Sequence, residues 1–450
     1  MIKLVVYKFP YAFFTKLEWT AYYIFFYQKF LIILVLFSIS CNHSENKKSE
    51  SLLYWSANNP YEIEFAQAVV GEWNKLYPQQ PVTFQPVPEG RSSEEVILAA
   101  VVGKTTPDIY SNMWQGDVEY FARAGVLIPL DTLADFIDSL YQRCDSSVVN
   151  EITSQDGHIY QVPWKINPIM LLYNQNLFRD IGFDQPPVTY SQFFQAAEKM
   201  KADLNGDGYV DRWIGYSEVL VTWWQRLFDF YPLYLAASQG GKLIEHNRVV
   251  FDNIYAIEVF EFLKELYDKN YFSREVLSAR QDVFLSSVIA SRFTGPYEII
   301  HAEKFKTQGF NYSFSALPVP DGHSGERFTY GDPKNIIIFN TCRQPRQALR
   351  FILFLINKRN DLRLMQITTQ LPRRKELFND PVYSEYFQQN PKLVPFAHQA
   401  QFVRGTDACP QLKEIFDIIS QEYEACVIYG IKPPVQAVHD AARAVQVLLE

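Results

Sequence analysis

One short stretch of this chain has the oxygen spacing of a cation loop. Asp203, Asn205, Asp207 and Asp211 stand at positions 1, 3, 5 and 9 of a calcium loop, Gly208 is at position 6, and the carbonyl of Tyr209 falls at position 7. Position 12 is Ile214, so the bidentate glutamate of such loops is missing. The expectation is a structural calcium ion and no required cofactor. A solvated turn rich in Asp and Asn accounts for the same residues. Catalytic signatures are absent: the sequence has no GxSxG, no HExxH and no phosphate loop. Gly240-Gly241-Lys242 lacks both the upstream glycine and the downstream Ser or Thr of a phosphate loop. Acidic pairs occur in any acidic chain and carry no weight. The expectation is a protein that is not an enzyme.

The elements around these residues alternate. LLYWS from Leu52 is a short apolar strand, and Asn59-Pro60-Tyr61-Glu62 opens a helix with a cap, an N1 proline and a capping box. Phe65, Val69, Trp73 and Leu76 then recur at helical spacing. VTFQPVP is the next strand, Ser93 to Val102 the next helix, and Pro107-Asp108-Ile109-Tyr110 begins a third strand. Thr189 to Gln192 is a second capping box, and Ile254 to Tyr267 and Pro434 to Leu449 are amphipathic helices. This alternation predicts an α/β fold with a mostly parallel sheet.

The 450 residues suffice for two or three domain-sized units, and 48% of them are apolar. The formal charge is −8, and the first forty residues carry four lysines against Glu18, so the negative excess lies beyond them. Such a surface repels phosphate backbones, which argues against nucleic-acid partners. Phe30 to Ile39 is an uninterrupted apolar run that follows Lys29 and ends at Ser40-Cys41, the layout of a secretory signal over residues 1–40. Reading it as a membrane anchor starting near Ala21 meets Gln28 and Lys29 as interruptions. Residues 41–50 are polar and aperiodic and read as a flexible tether. Cysteines 144, 342, 409 and 426 show no CxxC spacing, so neither a zinc site nor a redox motif is indicated; an exported chain could pair them, in an order the sequence does not give.

Several blocks, in order, resemble the family 1 extracellular solute-binding proteins of ABC importers, the group that includes maltodextrin-binding proteins. They are LLYWSANNPYEIEFAQAVVGEWNKLYP, ILAAVVGKTTPDIYSNMWQGDVEYFARAGVLIPLD, DGHIYQVPWKINPIMLLYNQNLFRDIGF, QGGKLIEHNRVVFDN, ASRFTGPYEI and TQLPRRKEL. Together they cover nearly the whole chain after residue 51. Cys41 resembles the lipidated first residue of bacterial lipoproteins, although position 38 is Ser where Leu is usual. The resemblance implies a two-lobe periplasmic-binding-protein-like fold of type II, with a ligand cleft between lobes and a hinge that crosses more than once. Lobe one would be 51–163 plus 331–372, and lobe two 164–330 plus 373–450. It implies a carbohydrate ligand, delivery to the membrane permease subunits of an ABC importer, a lipid anchor on the outer face of the membrane, and a monomer. The alternatives are a protein that presents its ligand to a membrane sensor, or a glycan-active enzyme.

Sugars offer C–H faces and hydroxyl rims, which suit aromatic faces and carboxylates, amides or guanidinium groups. Trp114 lies just beyond the "PDIYS" strand, where such folds bind ligands, and otherwise reads as a lid on the core. Asp117 is either a hydroxyl acceptor or a helix cap. Asn58 and Asn59 end the first strand, and Asn59 is also explained as a cap. Trp164 and Asn167 lie at the entry to lobe two, Tyr330 and Asp332 at a return crossing, and Tyr297 in a "GPY" segment that resembles the family's stacking aromatic. Trp223 and Trp224 are neighbours that cannot share one helix face. Arg404 completes the set and is equally a surface cation.

Overall fold

The protein is described by a computed structural model over residues 51–90, 92–277 and 282–450. The signal segment 1–40, the lipidation candidate Cys41 and the tether 41–50 lie outside the described residues. Fourteen strands are described in chain order: β1 (Leu52–Ser56), β2 (Val82–Pro86), β3 (Ile109–Trp114), β4 (Val162–Ile166), β5 (Met170–Asn174), β6 (Trp213–Gly215), β7 (Ile244–Glu245), β8 (Arg248–Val249), β9 (Ile289–Thr294), β10 (Tyr312–Ser315), β11 (Thr329–Tyr330), β12 (Lys334–Ile338), β13 (Leu371–Pro372) and β14 (Val403–Arg404).

Two sheets organise them. The larger runs β13-β4-β12-β3-β1-β2, and the smaller β10-β5-β9-β6. β1 pairs in parallel with β2 and β3, because the helices Pro60–Leu76 and Ser93–Gly103 provide the crossovers that parallel neighbours need. β12 enters antiparallel between β3 and β4, so a segment more than two hundred residues later completes the sheet that β1 begins. The structure thus has the mixed α/β, two-lobe architecture with several crossings, but not the expected mostly parallel sheet. Pairing is parallel among β1, β2 and β3 and between β6 and β9, and antiparallel where β12, β13, β5 and β10 join, because β5 and β12 enter their sheets from the other lobe instead of through a local helical crossover.

Helix starts follow their caps. Asn59 Oδ1 accepts from the Glu62 amide at 3.0 Å, and Thr189 Oγ1 from the Gln192 amide at 3.4 Å. Neither expected capping box closes in its standard form. Glu62 turns its carboxylate to Lys165 and Gln370, and Gln192 accepts from the Val188 amide at 2.8 Å. A buried ammonium binds the Glu62 carboxylate more strongly than a helix-end amide does, so the tertiary partner wins.

The first core packs Trp73 edge-on to Phe351, ring centroids 5.4 Å apart. The second surrounds the helix Phe230–Ala237, in which every residue is buried, as an all-apolar helix requires. Arg143 clamps β4 from below: it donates to the carbonyls of Pro163 and Trp164, each at 3.0 Å, and to both oxygens of Asp361 at 2.8 and 3.1 Å. Cys144, Cys409 and Cys426 are free thiols in the core, and Cys342 is buried too.

Between the sheets the chain crosses at 167–169, at 331–333 and after β13. These crossings are tied together. The Asn167 amide donates to the Gly331 carbonyl at 2.6 Å, the Ile169 amide to the Tyr330 carbonyl at 2.9 Å, and the Arg373 amide to the Trp164 carbonyl at 2.8 Å. Gly331 has no room for a side chain, since a Cβ would stand 2.9 Å from Ile166. Asp332 follows in the left-handed region at φ +38°, a conformation Asp tolerates better than most residues.

Candidate ligand cleft

The ends of β1, β3 and β4 and the start of β12 converge on one polar and aromatic cluster. Trp114 ends β3 and is 2% exposed. Its indole Nε1 donates to Tyr330 Oη at 2.9 Å, and its ring lies against Trp223 with centroids 4.8 Å apart. The ring folds back over Gly116, where a Cβ would stand 2.3 Å from it. Asp117 is not a cap here. Its carboxylate pairs with Lys413 at 2.7 Å, and that ammonium also stands 5.4 Å from the Trp223 ring centroid and 5.9 Å from that of Trp114. Burial pushes the Asp117 carboxyl up, and Lys413 offsets part of that push.

A second chain of polar contacts runs from Asn167. Its amide donates to Gln370 Oε1 at 3.0 Å, Gln370 donates to Glu62 Oε1 at 3.0 Å, and Lys165 donates to the same carboxylate. Burial alone would raise the Glu62 carboxyl, but Lys165 and Gln370 hold it below the usual carboxylate range. Glu62 Oε2 and Asn167 Oδ1 are buried without a protein partner, and so is Asn335 Oδ1 on β12. Buried oxygens of this kind need a water or a ligand hydroxyl.

Asp332 joins the two groups. Tyr330 Oη stands 3.5 Å from its carboxylate, and Lys334 Nζ 3.4 Å away. Burial disfavours the Lys334 charge, yet Asp332 lifts its pKa above the ordinary lysine value. Tyr297 is half-buried near Asp332, and burial, then that carboxylate, pushes its phenol up. Thr369, on the loop before β13, donates to the Pro296 carbonyl at 3.0 Å, which brings the GPY segment to the crossing.

The structure therefore gathers Trp114, Asp117, Trp223, Tyr330 and Asp332, with Asn167 and Tyr297 adjoining them. Asn58 is exposed at the end of β1, and Asn59 serves as the cap of the helix that carries Glu62. Other candidates lie elsewhere. Trp164 is fully buried in the first core, its ring 6.0 Å from Phe65, yet it borders the polar cluster: Lys165 Nζ stands 4.6 Å from its ring centroid and its indole Nε1 is buried without a protein partner. Trp224 is 40% exposed and turned outward. Arg404 is on β14, beside Glu151 at 3.8 Å. Glu62, Lys165, Lys334, Gln370 and Lys413 were not singled out from sequence. Lys165 is next to Trp164, Lys334 is two residues from Asp332, and Glu62 was noted only as part of a capping box.

The calcium-spaced residues share a single exposed loop. Asp203 accepts from the amides of Gly206 and Gly208 at 2.6 and 2.8 Å, and Asp211 from that of Leu204 at 2.8 Å. These amides lower the Asp203 carboxyl. Asp282, Glu298 and His301 also cluster, but Arg292 bridges the two carboxylates at 3.1 and 2.7 Å, a cation already in place.

A separate cavity of about 1200 Å³ lies beside the hinge. Residues from 144–155, around the helix Ser146–Ile152, from the segment 372–375 at the end of β13, and from 242–247 and 400–408 line it; of the sequence-derived candidates it contains Arg404 alone.

Comparison with known proteins agrees with this architecture. The family model of the bacterial extracellular solute-binding proteins matches residues 59–361. The maltotriose-binding protein of Pyrococcus abyssi is 23% identical over 77% of this chain and 73% of its own length. The galactooligosaccharide-binding protein of Bacillus subtilis is 22% identical over 79% and 80%. Among solved structures, an uncharacterized Listeria monocytogenes protein superimposes with a TM-score of 0.77 at 24% identity, over 89% of this chain and all of that one. The sugar-binding protein MalE of Xanthomonas citri gives 0.72 at 19% identity, over 89% and 97%.

Proposed function

The chain belongs to the bacterial extracellular solute-binding proteins, and from that premise we propose that it captures a carbohydrate and delivers it to the permease subunits of an ABC importer. The observation that carries this reading is the Trp114–Trp223 pair set among Asp117, Lys413, Asp332 and Lys334. Aromatic faces cover the apolar faces of a pyranose, and charged groups at its edge exchange hydrogen bonds with its hydroxyls. The relatives that bind maltotriose and galactooligosaccharide support the same ligand class.

On this reading lobe one is 51–166 plus 331–372, three residues past the sequence expectation of 163 so that β4 stays whole, and lobe two is 167–330 plus 373–450. The sugar enters when the Asp117–Lys413 pair opens and the rings part, by rotation at 167–169, 331–333 and 372–373. Asn167, Glu62 and Asn335 then give their idle oxygens to sugar hydroxyls. The chain binds and releases its ligand unchanged and works as a monomer. It is exported by residues 1–40 and held to the membrane through a lipid on Cys41.

A thermal-shift screen of the full chain over neutral oligosaccharides tests the ligand class. A ligand that binds only the native state raises the melting temperature with concentration. The reading stands if at least one oligosaccharide does so saturably and is recovered uncleaved. It fails if none does while a non-carbohydrate solute does.

A further inference from the structure

The cavity beside the hinge takes no part in the reading above, and its charges are unevenly matched. Arg373 lines it at 6% exposure. Its Nη2 pairs with Glu151 at 3.2 Å, while Nη1 is buried without a partner. The same glutamate is the nearest carboxylate to Arg404, whose Nε stands 3.8 Å from the other oxygen, beyond hydrogen-bond reach. Arg374 likewise shares Asp361 with Arg143. Lys375 donates to the neutral carbonyl of Tyr141 at 3.0 Å.

The acids across the cavity do little to balance them. Asp407 spends its carboxylate on the amides of Leu243 and Ile244, at 2.8 and 3.0 Å. Glu245 faces Lys242 at 3.5 Å, and Asp145 is exposed. Two guanidinium groups thus divide one carboxylate at the wall of a cavity large enough for a small organic molecule. Each guanidinium carries five donors in a fork that matches a carboxylate or a phosphate.

We propose that this cavity binds a small organic anion, whose carboxylate or phosphate group is clamped by Arg373 and Arg404 beside Glu151. The site is distinct from the aromatic cleft and does not depend on the carbohydrate assignment. Glu151 acts as an internal competitor: it occupies the clamp when the anion is absent and repels the anion when present.

Isothermal titration of the full chain with sodium citrate and, separately, with inorganic phosphate tests this at low ionic strength. At least one anion should give saturable heat, weakened by added salt. Citrate alone would identify a carboxylate ligand, and phosphate alone a phosphate ester. Arg404→Gln, a third exposed in the parent, should weaken binding about tenfold, the loss of one charge-assisted contact. Glu151→Gln should tighten it, because the competitor loses its charge. Lys334→Gln, in the aromatic cleft, should leave it unchanged. No saturable heat with either anion, equal affinity in Arg404→Gln, weaker binding in Glu151→Gln, or loss in Lys334→Gln would each overturn the site.

Discussion

Two ionic clusters of this molecule use the same chemistry to opposite ends. Beneath β4, Asp361 is 1% exposed and receives Arg143 through both oxygens, plus Arg374 Nε at 2.8 Å. Arg143 spends its remaining donors on the carbonyls of Ile356, Pro163 and Trp164. The arrangement is sealed. In the cleft, Asp117 has one ammonium partner, Lys334 stands 3.4 Å from Asp332, and nearby oxygens of Glu62 and Asn167 lack protein partners. The difference lies in satisfaction rather than in charge. A cluster with every donor placed fixes geometry, whereas one with idle acceptors and single contacts can exchange them for a ligand.

The comparison breaks most visibly at Asp361. Asp361→Ala strands two buried guanidinium groups and should cost about 3–5 kcal/mol of stability. Chemical denaturation reads this directly, and the folded fraction should bind its sugar with parental affinity. A loss below about 1 kcal/mol would mean that the sealed cluster is no more structural than the cleft.

Trp114→Ala should weaken sugar binding at least about tenfold, or 1.4 kcal/mol. Because the ring is buried against Trp223 and Tyr330, alanine should also lower the ligand-free melting temperature. Lys413→Gln tests the pair from the other side: its ammonium is a third exposed, but it leaves the Asp117 carboxylate, 8% exposed, without its cation, so stability should fall by about 1–3 kcal/mol while sugar affinity falls several-fold. Calorimetry beside melting curves measures both. Unchanged affinity in Lys413→Gln would remove the Asp117 pair from the site.

A third cluster, at the surface, sharpens the scale. Burial pushes the Glu303 carboxyl up, but Lys306, Tyr312 and Lys392 bring it from 4.5 to about 2. Its folded pKa is depressed, so its contribution is present above the unfolded value and is lost as pH falls from about 4.5 towards 2. Glu303 is 41% exposed, so solvent screening limits the contribution to about 0.5–1 kcal/mol. Glu303→Gln should lower stability by that amount at pH 7 and flatten the acid limb of the melting profile. An unaltered limb would show that the pairing is not formed in solution.

The smallest effect is expected at the 203–214 loop, where the carboxylates already satisfy amides but retain lone pairs for a cation. Calcium near its dissociation constant should raise the melting temperature by about 1 °C. Chelator should reverse the rise, and Asp207→Ala should abolish it. A parent melting curve indifferent to calcium and to chelator would leave the loop as a turn held by its own amides.

Much of the architecture could be read within a few residues of each position. Asn59 and Thr189 cap the helices they precede, Pro434 opens the last helix, and β1 to β3 alternate with helices as their apolar spacing requires. These features are local because caps and helical faces are set by neighbours three or four residues away. The lobe boundaries and the Cys41 anchor came from resemblance and the signal segment from its apolar run, and all three stand as proposals.

The cleft was legible only as residue types. Trp114, Asp117, Trp223, Tyr330 and Asp332 drew notice for their chemistry and position, but their pairing did not, and neither did Lys413 or Lys334. Trp114 bonds a residue 216 positions away, Asp117 one 296 away, and Glu62 takes Gln370 across 308. Trp164 and Trp223 are both tryptophans beside polar neighbours, yet one packs in the first core and the other against Trp114. Local sequence thus determined the strands, the helices and their order. Which carboxylate meets which ammonium, which ring stays in the cleft and which amide turns inward were decided by the return of β12 and β13 to the first sheet, because ionic and aromatic contacts act over a few ångströms of space regardless of separation along the chain.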